Sequence, residues 1–272
     1  MGPLPLSAQV FTILAGLIEE RAGLHYRADD LELLRDKIST RAELQGFSSL
    51  LDYYYFLRYD AAGSAELDAL VEALVVHETY FFREADQLRV LFGPLLARRF
   101  TQEAPVRIWC AASATGEEAY TMAMVLADAG LLSRARIVAS DISERALAKA
   151  KSCEFSPRSL RTVPPGGEPR WLRRQGDRIR IDRSLGDAIE WRRVNLIDAE
   201  AVAALGHFDA VVARNVLIYF SDNTVRQVVS ALGGALVPGG FLLVGASESL
   251  LRYGTALSCE EHGGAFFYRR VF

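Results

Sequence analysis

The sequence predicts an α/β fold with a mainly parallel, doubly wound sheet, preceded by a small all-helical domain. Two patterns support this prediction. No strand pattern precedes residue 106, whereas from there onward strands alternate with helices, as they do when helices cover a parallel sheet. In addition, a run of small residues between the first strand and its helix indicates a ligand site at the carboxyl edge of that sheet.

Composition limits the size of the cores and the kind of partner. The 272 residues are 50% hydrophobic, enough for one large and one smaller domain. The net charge of −3 argues against nucleic acid as the main partner. Cys110, Cys153 and Cys259 form no C-x-x-C pair, so neither a disulfide framework nor a metal site is expected. Without an apolar run of about 18 residues or a signal-peptide pattern, we expect a cytoplasmic protein that does not insert into a membrane.

The helical domain has predicted helices over residues 8–22, 30–45, 48–59 and 65–76. In the second helix, Arg35, Lys37 and Arg41 lie away from the apolar stripe. This basic face is either simply solvated or a docking surface for an acidic partner helix, and the sequence leaves both open.

An aromatic segment links the helical domain to the sheet. Tyr80, Phe81 and Phe82 stand beside Thr79 and Arg83, so aromatic anchors would hold two polar side chains in place. The alternative is that the rings join two cores while Arg83 pairs with a nearby acid. Residues 88–100 are then predicted to form a short helix.

The first strand, turn and helix of the sheet domain span residues 106–120. Ala111 and the small residues after it leave a bare backbone, and Gly116 permits a sharp turn. Helical periodicity begins at Glu117, so the free N–H groups of the helix face the loop. An open α/β sheet binds nucleoside-bearing ligands at such a place, although an ordinary turn is the alternative.

The second strand, residues 135–142, ends in Asp141 and Ile142. An acidic side chain there can accept both hydroxyl hydrogens of a ribose bound over the first strand. Because Ser140-Asp-Ile-Ser143 also precedes a helix predicted over 144–152, a helix cap is the alternative role of Asp141.

Residues 153–194 interrupt the alternation of strands and helices. We predict two paired strands over 178–182 and 188–192, joined through 184–187, after an irregular stretch containing Val163-Pro-Pro-Gly-Gly167. Asn195 and Leu196 follow the second strand. The segment is basic, and its positive charge is either an ordinary charged surface or a contact site for an acidic protein or substrate. The basic residues are Arg161, Arg170, Arg173, Arg174, Arg178 and Arg180.

Three further pieces complete the predicted sheet. A strand over 208–213 ends in Arg214 and Asn215 on the ligand side, and Tyr219 follows closely enough to face the same cleft. A helix over 222–236 precedes a buried strand over 241–245. Residues 265–271 are predicted to form an antiparallel strand in the last place of the sheet.

Five motifs occur in the order and spacing of one known family. They are Glu78-Thr-x-Phe-Phe-Arg-Glu84, Ala111-Ala-Ser-x-Thr-Gly-Glu-Glu-x-Tyr120, Ala139-Ser-Asp-Ile142, Arg214-Asn-Val-x-Ile-Tyr-Phe220 and Pro238-Gly-Gly240. Together they resemble the CheR-type chemoreceptor glutamate methyltransferases over nearly the whole chain. The resemblance implies a class I S-adenosylmethionine-dependent methyltransferase fold. It implies a helical domain over 1–77, a linker over 78–104, and a methyltransferase domain over 105–272 with a β insert over 156–194.

The resemblance also implies which residues surround S-adenosylmethionine. Asp141 would hold the ribose, Asn195 and Leu196 the adenine, and Asn215 with Val216 the methionine portion. The other implied cofactor contacts are His77, Thr79, Arg83, Ala111, Glu118 and Ile142.

Two residues are expected to act in the reaction itself. The implied reaction transfers a methyl group to a glutamate carboxylate of a chemoreceptor and forms a methyl ester. Arg83 would orient either the incoming carboxylate or the cofactor's own, and Tyr219 would donate a hydrogen bond near the transferring methyl group. A glutamate with a pKa of about 4.3 is ionised at neutral pH, so no strong base is needed.

The chain departs from the family pattern at three places. His77 stands where Asn is common, and Ala246 stands where a His often precedes the Ser-Glu pair. The joint Leu185-Gly-Asp187 lacks the glycine-rich turn of members that dock on a receptor's C-terminal pentapeptide, which predicts the pentapeptide-independent type. We expect a monomer that acts on the cytoplasmic helical bundle of a chemoreceptor, and the resemblance also allows a helical-repeat partner.

Other functions fit less of the sequence. The main alternative is a regulatory or scaffold protein that binds S-adenosylmethionine or S-adenosylhomocysteine without catalysis, and the presence of both Arg83 and Tyr219 argues against it. The low net charge and the helical domain disfavour a methyltransferase for a small molecule or RNA. A dinucleotide dehydrogenase would require a G-x-G-x-x-G spacing that residues 111–116 lack.

Overall fold

The computed structural model describes residues 3–163 and 169–272, so most of the predicted irregular stretch at Pro164-Pro-Gly-Gly167 lies outside the described residues. Contacts divide the chain into two units. The first comprises the described residues up to Val76 together with Tyr219–Thr224, and the second comprises His77–Ile218 together with Val225–Phe272. In the described part of the chain, no helix is both long and apolar enough to cross a membrane.

The first unit is helical, as predicted. Its described α-helices are α1 (Ala8–Ala22), α2 (Leu31–Leu44), α3 (Leu50–Tyr59) and α4 (Gly63–Leu74). Ser49 caps α3 by accepting a hydrogen bond from the Asp52 N–H at 3.3 Å. Apolar side chains at helical spacing, such as Leu14 and Ile18 on α1, are fully buried in the core of the unit.

A buried carboxylate ties three of these helices together. The side chain of Glu66 on α4 accepts hydrogen bonds from Arg41 Nε on α2 at 2.9 Å and from the Tyr53 hydroxyl on α3 at 2.7 Å. Gln45 Nε2 donates a further bond at 2.7 Å. Burial, reinforced by Glu66, raises the pKa of Tyr53 well above its usual range, so the hydroxyl keeps its proton and acts as a donor.

The basic face of α2 is occupied by contacts within the helical unit. Arg41 binds Glu66, and Lys37 Nζ donates to the Ala73 carbonyl near the end of α4 at 3.3 Å. Arg35 Nη1 donates to Glu32 one turn earlier at 3.0 Å. These contacts use the cations inside the unit, so the docking alternative for this face is not supported.

The second unit contains two sheets. Among the described residues its strands are β1 (Val106–Ala111), β2 (Ala135–Asp141), β3 (Glu154–Phe155), β4 (Leu172–Gln175), β5 (Arg178–Ile181), β6 (Ile189–Arg193), β7 (Phe208–Ala213), β8 (Leu236–Val244), β9 (Leu257–His262) and β10 (Ala265–Arg270). The main sheet has the order β6-β2-β1-β7-β8-β10-β9, and its first five strands are parallel. β10 is antiparallel to both neighbours, which confirms the predicted sheet. However, β9, which the sequence analysis did not predict, takes the last place.

The central strand β1 is buried on both faces. Ile108, Trp109 and Cys110 are fully buried, which accounts for the absence of alternation in the sequence. The Trp109 indole donates to the Ser140 hydroxyl of β2 at 2.9 Å, so even its polar edge is satisfied. This packing fixes the position of the loop that follows β1.

Helices precede and connect the strands of the second unit. In the described residues, α5 (Ala85–Val90) and α6 (Ala97–Phe100) come before β1, and α7 (Glu117–Asp128), α8 (Glu144–Lys151), α9 (Arg183–Gly186), α10 (Ala199–Ala204) and α11 (Asp222–Gly234) follow it. The single helix predicted over 88–100 is interrupted by a π-helical turn, Leu91–Leu95, which contains Pro94. Proline lacks the N–H that a continuous α-helix needs, so the prediction of an unbroken helix is wrong there.

The small sheet corrects the predicted hairpin of the insert. Its order is β3-β5-β4, and β5 pairs antiparallel with β4 across a turn at Gly176, where φ is 60°. The other predicted hairpin strand, β6, instead pairs parallel with β2 in the main sheet. The predicted joint at 184–187 is mostly the short helix α9, which lets the chain return to the main sheet rather than fold back on β5.

Candidate cofactor-binding and active site

The carboxyl ends of the five parallel strands meet at one edge of the main sheet. From β1 the strand order continues through β2 to β6 on one side and through β7 to β8 on the other. At such a reversal the loops diverge and leave a crevice for a ligand. Most of the predicted cofactor residues lie at these strand ends, and the rest lie on the segment from His77 to Glu84 or in the first turn of α7.

The loop after β1 turns through three residues with positive φ. These are Ala112 at 55°, Ala114 at 47° and Gly116 at 96°. At Gly116 an added Cβ would lie 2.7 Å from the Ala150 Cβ and 2.9 Å from the Trp191 ring, so only glycine meets both the conformation and the packing. The left-handed conformation costs about 1–2 kcal/mol at each alanine, which shows that the surrounding contacts hold this loop in its shape.

Asp141 holds that loop against the end of β2. Its Oδ2 accepts from the Ala114 N–H at 2.8 Å, and its Oδ1 accepts from the Ser143 N–H at 2.9 Å. The cap of α8 is Ser143, whose hydroxyl accepts from the Ala146 N–H at 2.9 Å, so the helix-cap alternative for Asp141 is wrong. A carboxylate has about four acceptor positions, and both hydroxyl groups of a ribose can donate to such a group.

The ends of β2 and β6 lie side by side. The Val194 N–H donates to the Asp141 carbonyl at 3.0 Å, which brings Asn195 and Leu196 next to the β2 end. Leu196 is 6% exposed and offers an apolar surface, while Asn195 offers an amide. An apolar wall beside an amide suits a planar heterocycle such as adenine. Ile142 is half-buried in the β2 loop.

Arg214, at the end of β7, forms a buried ion pair with Glu118. Its side chain is 1% exposed, and its Nη2 and Nε lie 2.5 and 2.6 Å from Glu118 Oε2. Burial alone would lower the pKa of Arg214, but the Glu118 carboxylate outweighs it, so the pKa stands above its ordinary value. Arg214 Nη2 also donates to the Arg83 carbonyl at 2.8 Å. Glu118, predicted to contact the cofactor, therefore already has a cationic partner, and Arg214 joins three segments of the site.

The segment from His77 to Glu84 is anchored by its aromatic residues, as predicted. Phe81 is fully buried, and its ring lies 5.0 Å from the Phe155 ring of β3. The Arg83 guanidinium lies 5.6 Å from the Tyr80 ring centroid and donates weakly to the Glu78 carbonyl at 3.4 Å. Within residues 3–163 and 169–272, no carboxylate pairs with Arg83, so these residues give no support to the alternative in which Arg83 pairs with a nearby acid.

Three buried polar atoms of these loops lack a hydrogen-bond partner among the described residues. They are His77 Nε2, Ser113 Oγ and Glu84 Oε2, the last of which lies 3.5 Å from Arg214 Nη1 as an ion pair. Buried polar atoms are nearly always paired in folded proteins, so these atoms indicate loops that receive a polar ligand. The donors and acceptors fit a nucleoside carrying an amino acid portion. The described residues contain no cluster of three or more His, Cys, Asp or Glu that could hold a metal ion.

Glu248 organises the opposite side of the crevice, between the ends of β7 and β8. Its Oε2 accepts from the backbone N–H groups of Asn215 at 2.6 Å and Gly245 at 2.8 Å, and its Oε1 accepts from Ile218 at 3.2 Å. Burial raises the pKa of Glu248, although the backbone donors work in the other direction. Asn215 has a φ of 58° and is held in that conformation by the carboxylate. Val216, the next residue, is half-buried.

Two known protein-family models match this chain. Residues 77–262 match the family described as CheR methyltransferase, SAM binding domain, and residues 9–75 match CheR methyltransferase, all-alpha domain. This chain belongs to the CheR methyltransferase family. Its enzyme class is therefore methyltransferase, its cofactor is S-adenosylmethionine, and its fold is the class I methyltransferase fold with a helical domain before it.

Individual relatives support the same membership along most of the chain. The "Chemotaxis protein methyltransferase" of Klebsiella aerogenes is 35% identical over 90% of this chain and 85% of its own length. "Chemotaxis protein methyltransferase 2" of Vibrio cholerae is 33% identical over 86% of this chain and 83% of its own. The Vibrio anguillarum protein named "Chemotaxis protein methyltransferase" is 33% identical over 92% of both.

Within this CheR-family chain, one predicted catalytic residue falls in the helical unit. By its contacts Tyr219 groups with the first unit, where its carbonyl accepts from the His25 N–H at 2.8 Å. The role of its hydroxyl stays a prediction. Neither the Arg214 ion pair nor the Glu248 carboxylate was among the functional groups predicted from the sequence. The local signal for Arg214 was a charged residue immediately after the buried strand β7, whereas Glu248 lies four residues beyond the end of β8.

Proposed function

We propose that this methyltransferase transfers a methyl group from S-adenosylmethionine to glutamate side-chain carboxylates of chemoreceptors, forming methyl esters. The observation that carries the proposal is the match to the SAM-binding domain of the CheR family over residues 77–262, which contains every strand-end loop described above. The relatives named chemotaxis protein methyltransferases support a chemosensory substrate.

The cofactor is proposed to lie across the carboxyl ends of β6, β2, β1 and β7. Asp141 would bind the ribose, Asn195 and Leu196 the adenine, and Asn215 with Val216 the methionine portion. The Asp141 contact is supported by its position beside the β1 loop, and the Asn215 contact by the way Glu248 fixes its backbone. The other residues proposed to surround the cofactor are His77, Thr79, Arg83, Ala111, Glu118 and Ile142.

The proposed chemistry needs alignment rather than a base. S-adenosylmethionine supplies a methyl group on a positively charged sulfur, which is open to attack by an anion. A glutamate carboxylate with a pKa of about 4.3 is such an anion at neutral pH. The protein's task is to hold the carboxylate in line with the methyl group and to remove water from it.

Arg83 is the residue proposed to hold a carboxylate. It has no carboxylate partner within the described residues, and the buried Phe81 ring fixes the backbone two positions away. A guanidinium can bind a carboxylate through two parallel hydrogen bonds, which sets both distance and direction. The carboxylate is either that of the receptor glutamate or that of the cofactor. Tyr219 is proposed to donate a hydrogen bond near the methyl group.

The receptor is proposed to present a cytoplasmic helical bundle, and the enzyme to act as a monomer in the cytoplasm. Since α2 uses its cations internally, the arginines of the insert are the better candidates for contact with acidic helices. Arg178 and Arg180 share one carboxylate, Glu154, at 2.6 Å each, so this group keeps a net positive charge. Binding should therefore weaken with salt, because exposed charges are screened over about 8 Å at physiological ionic strength.

The pentapeptide-independent type also stays a proposal. The residues that suggested it, Leu185-Gly-Asp187, lie largely in α9, whereas the hairpin of the insert turns at Gly176. A helical-repeat partner, fused or separate, would supply receptor targeting without the pentapeptide.

Calorimetric titration with S-adenosylhomocysteine tests the proposal first. Wild-type protein should bind with a micromolar Kd, and Asp141→Ala should lose binding while remaining folded by circular dichroism. A receptor cytoplasmic fragment should then be methylated by wild type, more slowly by Tyr219→Phe, and least by Arg83→Ala. Arg83→Lys is the matched control that keeps the charge but loses the planar fork. Absence of S-adenosylhomocysteine binding by folded wild type would overturn the proposal, and binding without methylation would favour the regulatory alternative.

A further inference from the structure

The first residue of α7, Glu117, is a buried carboxylate that is separate from the proposed cofactor contacts. Its exposed fraction is 3%. Its Oε2 accepts from the Thr115 hydroxyl in the β1 loop at 2.6 Å, and its Oε1 accepts from the Ser159 hydroxyl at 2.9 Å. A negative charge in the first turn of a helix is favoured by the helix dipole. Glu117 therefore connects the β1 loop to Ser159 and to the segment that contains Ser159.

Ser159 belongs to a 3-10 turn, Pro157–Leu160, that directly follows β3 of the small sheet. It is 9% exposed, and besides its bond to Glu117 its carbonyl accepts from the Phe81 N–H at 2.9 Å. The Thr162 hydroxyl donates to the Phe81 carbonyl at 3.1 Å from the same region. Both backbone groups of Phe81, two residues before Arg83, are thus held by the insert.

These bonds place one serine between two parts of the proposed site. Through its hydroxyl Ser159 holds Glu117 and the β1 loop, and through its carbonyl it holds the segment of Arg83. The β1 loop is strained at Ala112 and Ala114, so it needs external contacts to keep its shape. The turn after β3 supplies one of them, the bond from Ser159 to Glu117, which in turn accepts from Thr115 in the β1 loop.

We infer that Ser159 is a positioning residue through which the small sheet sets the geometry of both the β1 loop and the Arg83 segment. The inference rests on the proposed function, in which these two elements bind S-adenosylmethionine. Ser159 touches neither substrate nor cofactor in this arrangement and acts through Glu117. Anything that shifts the small sheet, including a docked receptor, would change cofactor affinity through this serine.

The test is calorimetric titration of full-length variants with S-adenosylhomocysteine. Ser159→Ala removes the hydroxyl but leaves the carbonyl bond to Phe81. A hydrogen bond to a charged acceptor is typically strong enough that its loss changes an equilibrium by about tenfold or more. We therefore expect the Kd to rise about tenfold with one site per chain retained. Ser159→Thr, which keeps a hydroxyl, should restore most of the affinity.

Ser184→Ala is the matched control. The Ser184 hydroxyl also lies just after the small sheet and donates to a carboxylate, Asp182, at 2.7 Å, but Asp182 contacts neither the β1 loop nor Phe81 among the described residues. Its Kd should equal that of wild type.

The outcomes separate three cases. A raised Kd at full stoichiometry for Ser159→Ala alone supports the inference. An unchanged Kd overturns it, and so does a reduced number of sites with unchanged Kd, because that result reports lost folded protein rather than altered geometry. If Asp141→Ala abolishes binding while Ser159→Ala binds normally, the inference fails and the proposed function stands. If folded wild type fails to bind, the proposed function itself fails.

Discussion

Gly245 is a position at which an added side chain would disturb the proposed cofactor crevice directly. The residue directly follows β8, and a Cβ added there would lie 2.7 Å from Glu248 Oε2 and 2.9 Å from Asn215 Nδ2. Contacts under 3.0 Å require both side chains to move. Because the φ of Gly245 is not in the left-handed range, Gly245→Ala tests crowding alone.

The size of the effect follows from the packing. Overpacking by one methyl group in a filled site costs about 1–3 kcal/mol. Here the displaced groups are the carboxylate that holds the Asn215 N–H at 2.6 Å and the Asn215 side chain itself. We take an overpacking cost of about 2.8 kcal/mol and assume that half of it destabilises the conformation that binds the ligand. The Kd for S-adenosylhomocysteine then rises about tenfold.

The assay combines calorimetric titration with thermal unfolding, and Gly16→Ala is its control. An added Cβ at Gly16, inside α1, has no neighbour within 4 Å. That substitution should stabilise the helix by about 0.5–1 kcal/mol and leave the Kd unchanged. If Gly245→Ala bound S-adenosylhomocysteine as wild type does, the proposed link from Glu248 through Asn215 to the cofactor would be refuted.

Three further predictions concern buried polar groups. Since folding raises the pKa of Glu248, the ionised form is disfavoured in the fold. Stability should fall as pH rises from the ordinary glutamate range through the raised pKa, and Glu248→Gln should flatten that part of the curve of unfolding free energy against pH. Tyr53→Phe should destabilise the helical unit by about 1–3 kcal/mol in urea, because Glu66 loses a buried donor, while S-adenosylhomocysteine binding is unchanged. Arg214→Gln should cost about 3–5 kcal/mol by stranding Glu118, and a drop in unfolding free energy below 1 kcal/mol would contradict the buried ion pair.

The fold could be predicted from the sequence where the local residue pattern of an element agrees with its position in the tertiary structure. The helices of the first unit and the buried strands β1, β2 and β7 carry strong periodicity or unbroken apolar runs, and tertiary contacts reinforce them. The prediction failed in the insert, where β6 alternates like an edge strand and the sequence does not say which neighbour it joins. β9 was missed because its residues Leu257–His262 are mostly polar and pair only with β10.

The candidate site could be predicted from the sequence to about the same extent as the fold. Asp141 was identified because an acidic residue at the end of a strand has few possible roles. One of these roles, the cap of α8, belongs to Ser143 in the structure. The roles of Arg214 and Glu248 depend on pairings 96 and 33 residues apart in the sequence. No local pattern encodes such pairings, because they arise only when the sheet brings separate strand ends together.

The place of β10 has a consequence for how the protein is made. β10 lies between β8 and β9 although it follows both in sequence, so a nascent chain cannot complete the main sheet until residue 270 has left the ribosome. The Tyr268 hydroxyl on β10 also accepts from the Leu250 N–H at 2.9 Å, two residues after Glu248. The crevice proposed to bind S-adenosylmethionine should therefore be among the last features to form during synthesis, and a chain stalled before residue 265 should expose the edge of β8 to chaperones.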